Sequence, residues 1–191
     1  MSLSRIILTA IAAVSIVALC ASSPAGAASK PKGNPIVVML VEHQGKPMGK
    51  IVIELFPKDA PISVANFLKL VDKKFYDGLT FHRVENLDGD TGKIVQGGDP
   101  NGNGSGNPGW SIKGEFSENH VNNPLTHNAG AFAMARSSDP DSAGSQFYIC
   151  VNPVHALDGK YAVFGQVISG LKTVADKIVV GDKMTSVKLS K

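Results

Sequence analysis

The chain has little with which to build a covalent framework, a metal centre or a surface of one charge. Of its two cysteines, Cys20 lies beside the N-terminal apolar run, so a chain that lost this region would keep only Cys150 and form no internal disulfide. Lys and Arg number 19 against 16 Asp and Glu, and removal of Arg5 leaves 18. That balance gives no electrostatic footprint for nucleic acid or for an acidic membrane. The five histidines, His43, His82, His120, His127 and His155, show no paired ligand spacing, so no metal centre is expected. The longest apolar run, Ile6 to Leu19, is broken only by Thr9 and Ser15 and spans about 14 residues, short of the roughly 20 a membrane-crossing helix needs. What remains is a chain of 191 residues with 43% hydrophobic content, enough for one domain that relies on its core for stability.

The N-terminus is set apart from that core. Arg5 supplies a positive charge, the apolar run follows, and Ala25-Gly26-Ala27 fits a small-residue cleavage site, so residues 1–27 resemble a secretory signal peptide. A mature chain starting near Ala28, periplasmic or secreted and without stable membrane insertion, is the expectation. A lipid anchor on Cys20 competes with it, because Val17-Ala18-Leu19-Cys20 resembles a bacterial lipobox with leucine where a small residue is usual. An uncleaved anchor is the third option. Residues 28–35 read as a polar, flexible lead-in, and 36–191 as the domain proper.

Within the domain, Ile36 to Glu42 and Lys50 to Phe56 are β-branched-rich runs joined by the turn-forming Gln44-Gly45-Lys46-Pro47. Val64, Phe67, Leu68 and Val71 then recur at helical spacing over about three turns. Further strands are expected at Gly130–Ala135, Ser145–Val151, Tyr161–Ile168 and Met184–Leu189, with a second short helix through Leu171, Val174, Ala175 and Ile178. Between the first helix and these strands lies Thr80 to Pro100, TFHRVENLDGDTGKIVQGGDP, two strand-like runs around a polar connection. Period-two alternation puts Phe81 with Arg83 on one face of the first run and Ile94 with Gln96 on one face of the second, which converge on one surface if those faces are neighbours, and Gly97-Gly98 ends the second run. Many short strands without βα alternation predict a mainly β fold, an eight-stranded antiparallel sheet closed as a barrel and capped by two α-helices. Cys150, in an apolar run, reads as a buried small hydrophobe.

Two patterns in the Gly-rich stretch after Pro100 lead nowhere. Asp99 to Gly104 fits the first half of an EF-hand loop, but its twelfth position is Trp110, and the glycines lack the Lys-Ser/Thr of a phosphate cradle. Asn103-Gly104-Ser105 is a glycosylation sequon, relevant in a eukaryotic source.

FHRV, QGGDP, AMARSSDPDSAGSQFYI and LDGKYAVFGQV occur in an order and spacing that resemble the cyclophilin-type peptidyl-prolyl cis-trans isomerases, from about Ile36 to Leu189. The resemblance implies an enzyme that needs no cofactor and acts on proline-containing segments of unfolded or partly folded proteins. It implies Arg83 as the catalytic donor, Gln96 as the group that holds it and bonds the substrate backbone, and Ile94 as an apolar wall. It further implies substrate contacts at Phe81, Gly104, Ala135, Arg136, Ser137, Gln146, Tyr148, Leu157 and Tyr161. The contacts at Ala135, Arg136 and Ser137 would use main-chain groups, so that very different side chains could serve at Arg136.

The chain departs from the family where Asn86 to Gly92 lengthens the usual Pro-Gly-Phe connection and Lys93 replaces an aromatic, which motivates an alternative, a weakly active proline-peptide-binding chaperone or adaptor. Ala156 stands where many eukaryotic members have tryptophan, implying poor cyclosporin sensitivity. With Tyr161 and the leader it suggests a bacterial exported form, expected to be monomeric.

Overall fold

The structure, a computed structural model, describes residues 33–87 and 91–190. The leader, Cys20, most of the lead-in and the middle of the 86–93 connection lie outside the described residues. All eight strands are formed: β1 (Ile36–His43), β2 (Lys46–Leu55), β3 (Phe81–Leu87), β4 (Gly92–Gly97), β5 (Ala131–Met134), β6 (Phe147–Cys150), β7 (Val163–Ser169) and β8 (Lys183–Leu189). They make one antiparallel sheet in the order β3-β4-β6-β5-β7-β2-β1-β8. The β1–β2 hairpin turns on Gln44 and Gly45, both at positive φ (48° and 78°), the two-residue geometry whose twist matches that of the strands.

The sheet curls until its edge strands meet at one corner, where Thr80 bridges Lys183 and the Phe81 amide donates to the Asp182 carbonyl. Main-chain bonds between Met184 and both Gly78 and Leu79, and from Gly181 to Phe81, extend this corner, but no strand ladder joins β3 to β8. The closed barrel expected from the sequence is therefore a curled sheet joined only at its corner, and β3 stays an edge beyond it. One α-helix, α1 (Pro61–Asp72), plugs the concave side. Its Phe67 ring lies 5.1 Å from Phe132 and 5.9 Å from Phe147, and full burial of such a ring contributes about 1.5–3 kcal/mol. No side chain of α1 caps its start; the buried Glu115 carboxylate, from the long loop, accepts the Ile62 and Ser63 amides at 2.9 and 2.7 Å. A negative group there also complements the helix dipole.

The second expected helix is a 3-10 turn, Ala175–Lys177. Val174, Ala175 and Ile178 are buried as their spacing implied, but Ile178 is already extended (φ −61°, ψ 134°) so that the chain can enter β8. A helix so short has too few internal hydrogen bonds to offset its nucleation.

Alternation along the strands sorts the apolar residues into two layers. Val95, Phe132, Met134, Phe147 and Ile149 face the core under α1. Ile94, Ala131, Ala133, Tyr148, Cys150, Val154 and Val163 form a second cluster on the outer face. A sheet with apolar side chains on both faces needs cover on each, and the outer cluster is covered only by loops.

Candidate functional site

The outer face carries a groove made of two adjoining cavities. The first, about 210 Å³, is lined by Arg83, Leu87, Ile94, Gln96, Ala135, Arg136, Tyr148, Leu157 and Tyr161. The second, about 340 Å³, shares Gln96, Ala135 and Arg136 and is otherwise lined by Gly104–Asn107, Ser137, Ser142 and Gly144–Gln146.

One side of the first cavity comes from the β3–β4 hairpin. The strand register shifts between Phe81 and Arg83, so Phe81 opposes Gly97 while Arg83 opposes Gln96. This extra residue reverses the alternation. Phe81 therefore turns inward, fully buried against Phe147, and belongs to the core and not to the groove, contrary to the shared face read from the sequence. Beyond the bulge Arg83, Glu85 and Leu87 share the outer face. Leu87 was missed, although counting by two from Arg83 reaches it.

Arg83 is held from two sides. Its Nη1 donates to Gln96 Oε1 at 3.0 Å and its Nη2 pairs with the Glu85 carboxylate. Gln96, buried, donates through Nε2 to Gln146 Oε1 at 2.9 Å, and Gln146 Nε2 donates to the carbonyls of Gly104 and Gly106, both at 2.9 Å. A single chain of hydrogen bonds thus runs from Glu85 to the Gly-rich loop. Gly98, just after β4, has φ 84°, and a Cβ there would stand 2.5 Å from the Ser145 carbonyl oxygen, so glycine is needed both for conformation and for room.

The loop is folded on its own acid. Asp99 accepts the amides of Asn101, Asn103 and Gly104. Burial pushes this carboxyl up, but the three N–H donors and His82 outweigh it and hold the pKa below the usual value. Both Asp99 oxygens are therefore engaged by main chain where an EF-hand would need them for calcium. Among the described residues no three His, Cys, Asp or Glu side chains come together to hold a metal ion. Cys150 is buried and its thiol is pushed up to about 12, by burial first and by Asp158 second.

The opposite wall rests on a polar chain whose inner members, Tyr148 and His127, are buried. The Tyr148 hydroxyl is 2.8 Å from His127 Nε2, His127 Nδ1 is 2.8 Å from Asp158 Oδ1, and His155 Nδ1 is 2.8 Å from Asp158 Oδ2. With Asp158 accepting from Nδ1–H, Nε2 accepts a hydrogen bond from the Tyr148 hydroxyl. Burial holds His127 below the usual histidine pKa, with Asp158 pulling the other way, and burial raises Tyr148 well above its ordinary value. The buried Tyr148 hydroxyl thus finds its partner in His127, a pairing that nothing in the sequence pattern indicated. Leu157 and Tyr161, on either side of Asp158, form the wall, and Tyr161 meets Tyr148 edge-on with ring centroids 6.0 Å apart.

The remaining expected residues divide between the cavities. Ala135 extends the β5–β6 pairing by one bond, its amide donating to the Gln146 carbonyl at 2.9 Å. Ser137 lines the second cavity, but its amide is bonded to Ser142 Oγ and its carbonyl to Arg136, both within the chain. Lys93 points out of the groove, donating through Nζ to the Asp176 carbonyl at 2.5 Å, and Leu87 supplies apolar surface to the pocket.

The architecture is that of a small β protein: a curled antiparallel sheet that carries on its outer face a groove with an arginine at the rim of a mixed polar and apolar pocket. Residues 38–190 match the family described as cyclophilin type peptidyl-prolyl cis-trans isomerase/CLD, and the chain belongs to that family. Similar proteins include peptidyl-prolyl cis-trans isomerase B of Bacillus subtilis, 47% identical over 73% of this chain and 90% of that one. A Helicobacter pylori peptidyl-prolyl cis-trans isomerase is 44% identical over 74% and 82% of the two chains. Among solved structures, a Cryptosporidium parvum cyclophilin type peptidyl-prolyl cis-trans isomerase, obtained in the presence of the dipeptide Ala-Pro, is similar with TM-score 0.66 and 26% identity, covering 82% of this chain and 99% of that one.

Proposed function

We propose that this isomerase turns Xaa–Pro bonds in the Arg83–Gln96 groove, with the proline ring in the 210 Å³ pocket and the flanking chain across the second cavity. The trans preference of such a bond is only about 0.5–1 kcal/mol, but its rotation faces roughly 18–20 kcal/mol, because the double-bond character of C–N is lost on the way. Twisting localises the lone pair on the prolyl nitrogen and makes it a better acceptor. A guanidinium fixed there stabilises the twisted amide more than either planar form. Arg83 is that donor; Gln96 holds it and bonds the substrate backbone. Ile94, Leu87, Tyr148, Leu157 and Tyr161 receive the ring, while Gly104, Ala135, Arg136, Ser137 and Gln146 contact the rest of the chain.

The observation that carries this proposal is the Arg83 Nη1 to Gln96 Oε1 bond of 3.0 Å at the mouth of a pocket that Leu87, Ile94, Leu157 and the Tyr148 and Tyr161 rings also line. Leu87 fills the wall that the change at Lys93 would have left open, which favours turnover over binding alone.

The substrates are proline-containing segments of proteins folding after export, met by a monomeric periplasmic or secreted enzyme of bacterial type. Support for export is the leader sequence over residues 1–27, with lipidation of Cys20 as the variant to be excluded by the mass of the processed chain. The groove is tested by titrating an Ala-Pro-containing peptide into the ¹⁵N-labelled chain while following cis–trans exchange of the peptide. Acceleration with shifts at Ile94, Gln96 and Tyr148 is expected. Binding without acceleration would restore the chaperone or adaptor alternative, and acceleration with shifts elsewhere would move the site.

A further inference from the structure

We infer that the Arg136 side chain is a positioning residue for the proline pocket, acting through the wall that carries Leu157 and Tyr161; the inference rests on the groove proposed above. Main-chain contact alone would leave this side chain free to vary, but the structure employs it fully. β5 ends at Met134, and two residues later Arg136 reaches across to the segment after Leu157. Its Nε and Nη2 donate to the Lys160 carbonyl at 3.0 and 2.8 Å, and its Nη1 donates to the Ser137 carbonyl at 2.8 Å. The guanidinium carbon lies 4.6 Å from the ring centroid of Tyr161 and 5.0 Å from that of Phe116.

These contacts make Arg136 a staple between two strand-end segments, sandwiched by two rings. It lines both cavities, so it also stands where they divide. The wall segment is tied at Asp158 by the His127 amide and ring, at the Gly159 carbonyl by the Glu118 amide at 2.9 Å, and at the Lys160 carbonyl by Arg136. Arg136 is the side-chain anchor next to Tyr161, so its loss loosens the end whose ring packs edge-on against Tyr148 at the pocket floor. Because the N–H groups of Arg136 already serve carbonyls of its own chain, it shapes the pocket and does not read the charge of a substrate. A lysine could not replace it: an ammonium is a point charge with neither a planar fork nor a face to stack.

Arg136→Lys and Arg136→Ala test this against one neutral and one acidic Xaa-Pro peptide. Both variants are expected to raise KM about fivefold for both peptides, with kcat within about twofold of wild type, the pattern of lost uniform binding. The Lys160 amide, which bonds the Leu157 carbonyl, is expected to exchange faster with solvent, while the melting temperature stays within about 3 °C. A wild-type KM in Arg136→Lys, or a KM rise confined to the acidic peptide, would overturn the staple in favour of simple charge. Unchanged Lys160 exchange would overturn it as well. If the peptide shifts Gln96 and Tyr148 in the wild-type chain yet both variants keep its KM, the staple alone fails; if the peptide shifts neither, the groove fails first.

Discussion

The two walls of the groove are held by different physics. The Arg83 wall is an edge hairpin: Arg83 and Glu85 keep 46% and 42% of their side-chain surface exposed and are fixed by charge and hydrogen bonds. The Tyr161 wall stands over a buried chain in which the His127 side chain has no exposed surface at all. An exposed ion pair contributes little to stability, about 0–1 kcal/mol, whereas a buried hydrogen-bonded group is expensive to strand. The group we propose to meet the reacting bond therefore sits on the wall that can be altered without unfolding the protein. The surface proposed to receive the proline ring is built into the fold.

If that contrast holds, substitutions on the first wall change the chemical step and those on the second change binding or stability. After Arg83 itself, the largest effect belongs to Gln96→Ala. Removing the 3.0 Å bond that orients Arg83 should lower kcat about tenfold to a hundredfold with folding intact, as measured by exchange kinetics and thermal melting. Leu157→Ala should raise KM about fivefold and spare kcat, because it removes apolar contact common to planar and twisted forms. Tyr148→Phe should destabilise the fold by about 1 kcal/mol, or about 2–4 °C in melting, by leaving His127 Nε2 buried without its donor, while kcat changes little.

The smallest effect is on pH. His127 is held low by burial, so on acidification the unfolded chain takes up a proton near pH 6.5 before the folded chain does. Stability should fall as pH drops below about 6.5 and level off below the folded value, with His82, held low in the same way, adding to the slope. His127→Gln should flatten the urea-midpoint profile over this window without abolishing its slope.

The strands were legible because their period-two patterns are strong and their turns are marked; even the outward set Ile94, Gln96, Gln146 and Tyr148 follows from alternation. What alternation could not show is a bulge. One extra residue after Phe81 moved that ring into the core, and no residue type there announces it. The second helix was lost for a related reason, since the spacing of Val174, Ala175 and Ile178 reports burial and not hydrogen bonding. Long-range polar pairing was also hidden: Glu115 capping α1, His127 meeting Tyr148, and Arg136 clasping Lys160 join residues that only the folded sheet brings together. Closure was overread, because strand count does not say how far two edges run side by side.

The most direct test measures kcat and KM separately for Arg83→Ala on one Xaa-Pro peptide, with thermal melting alongside. A fall in kcat of about a hundredfold or more, with KM within about threefold and melting unchanged, is the predicted result. An unaltered kcat, or a loss carried wholly by KM, would contradict Arg83 as the donor to the twisting bond.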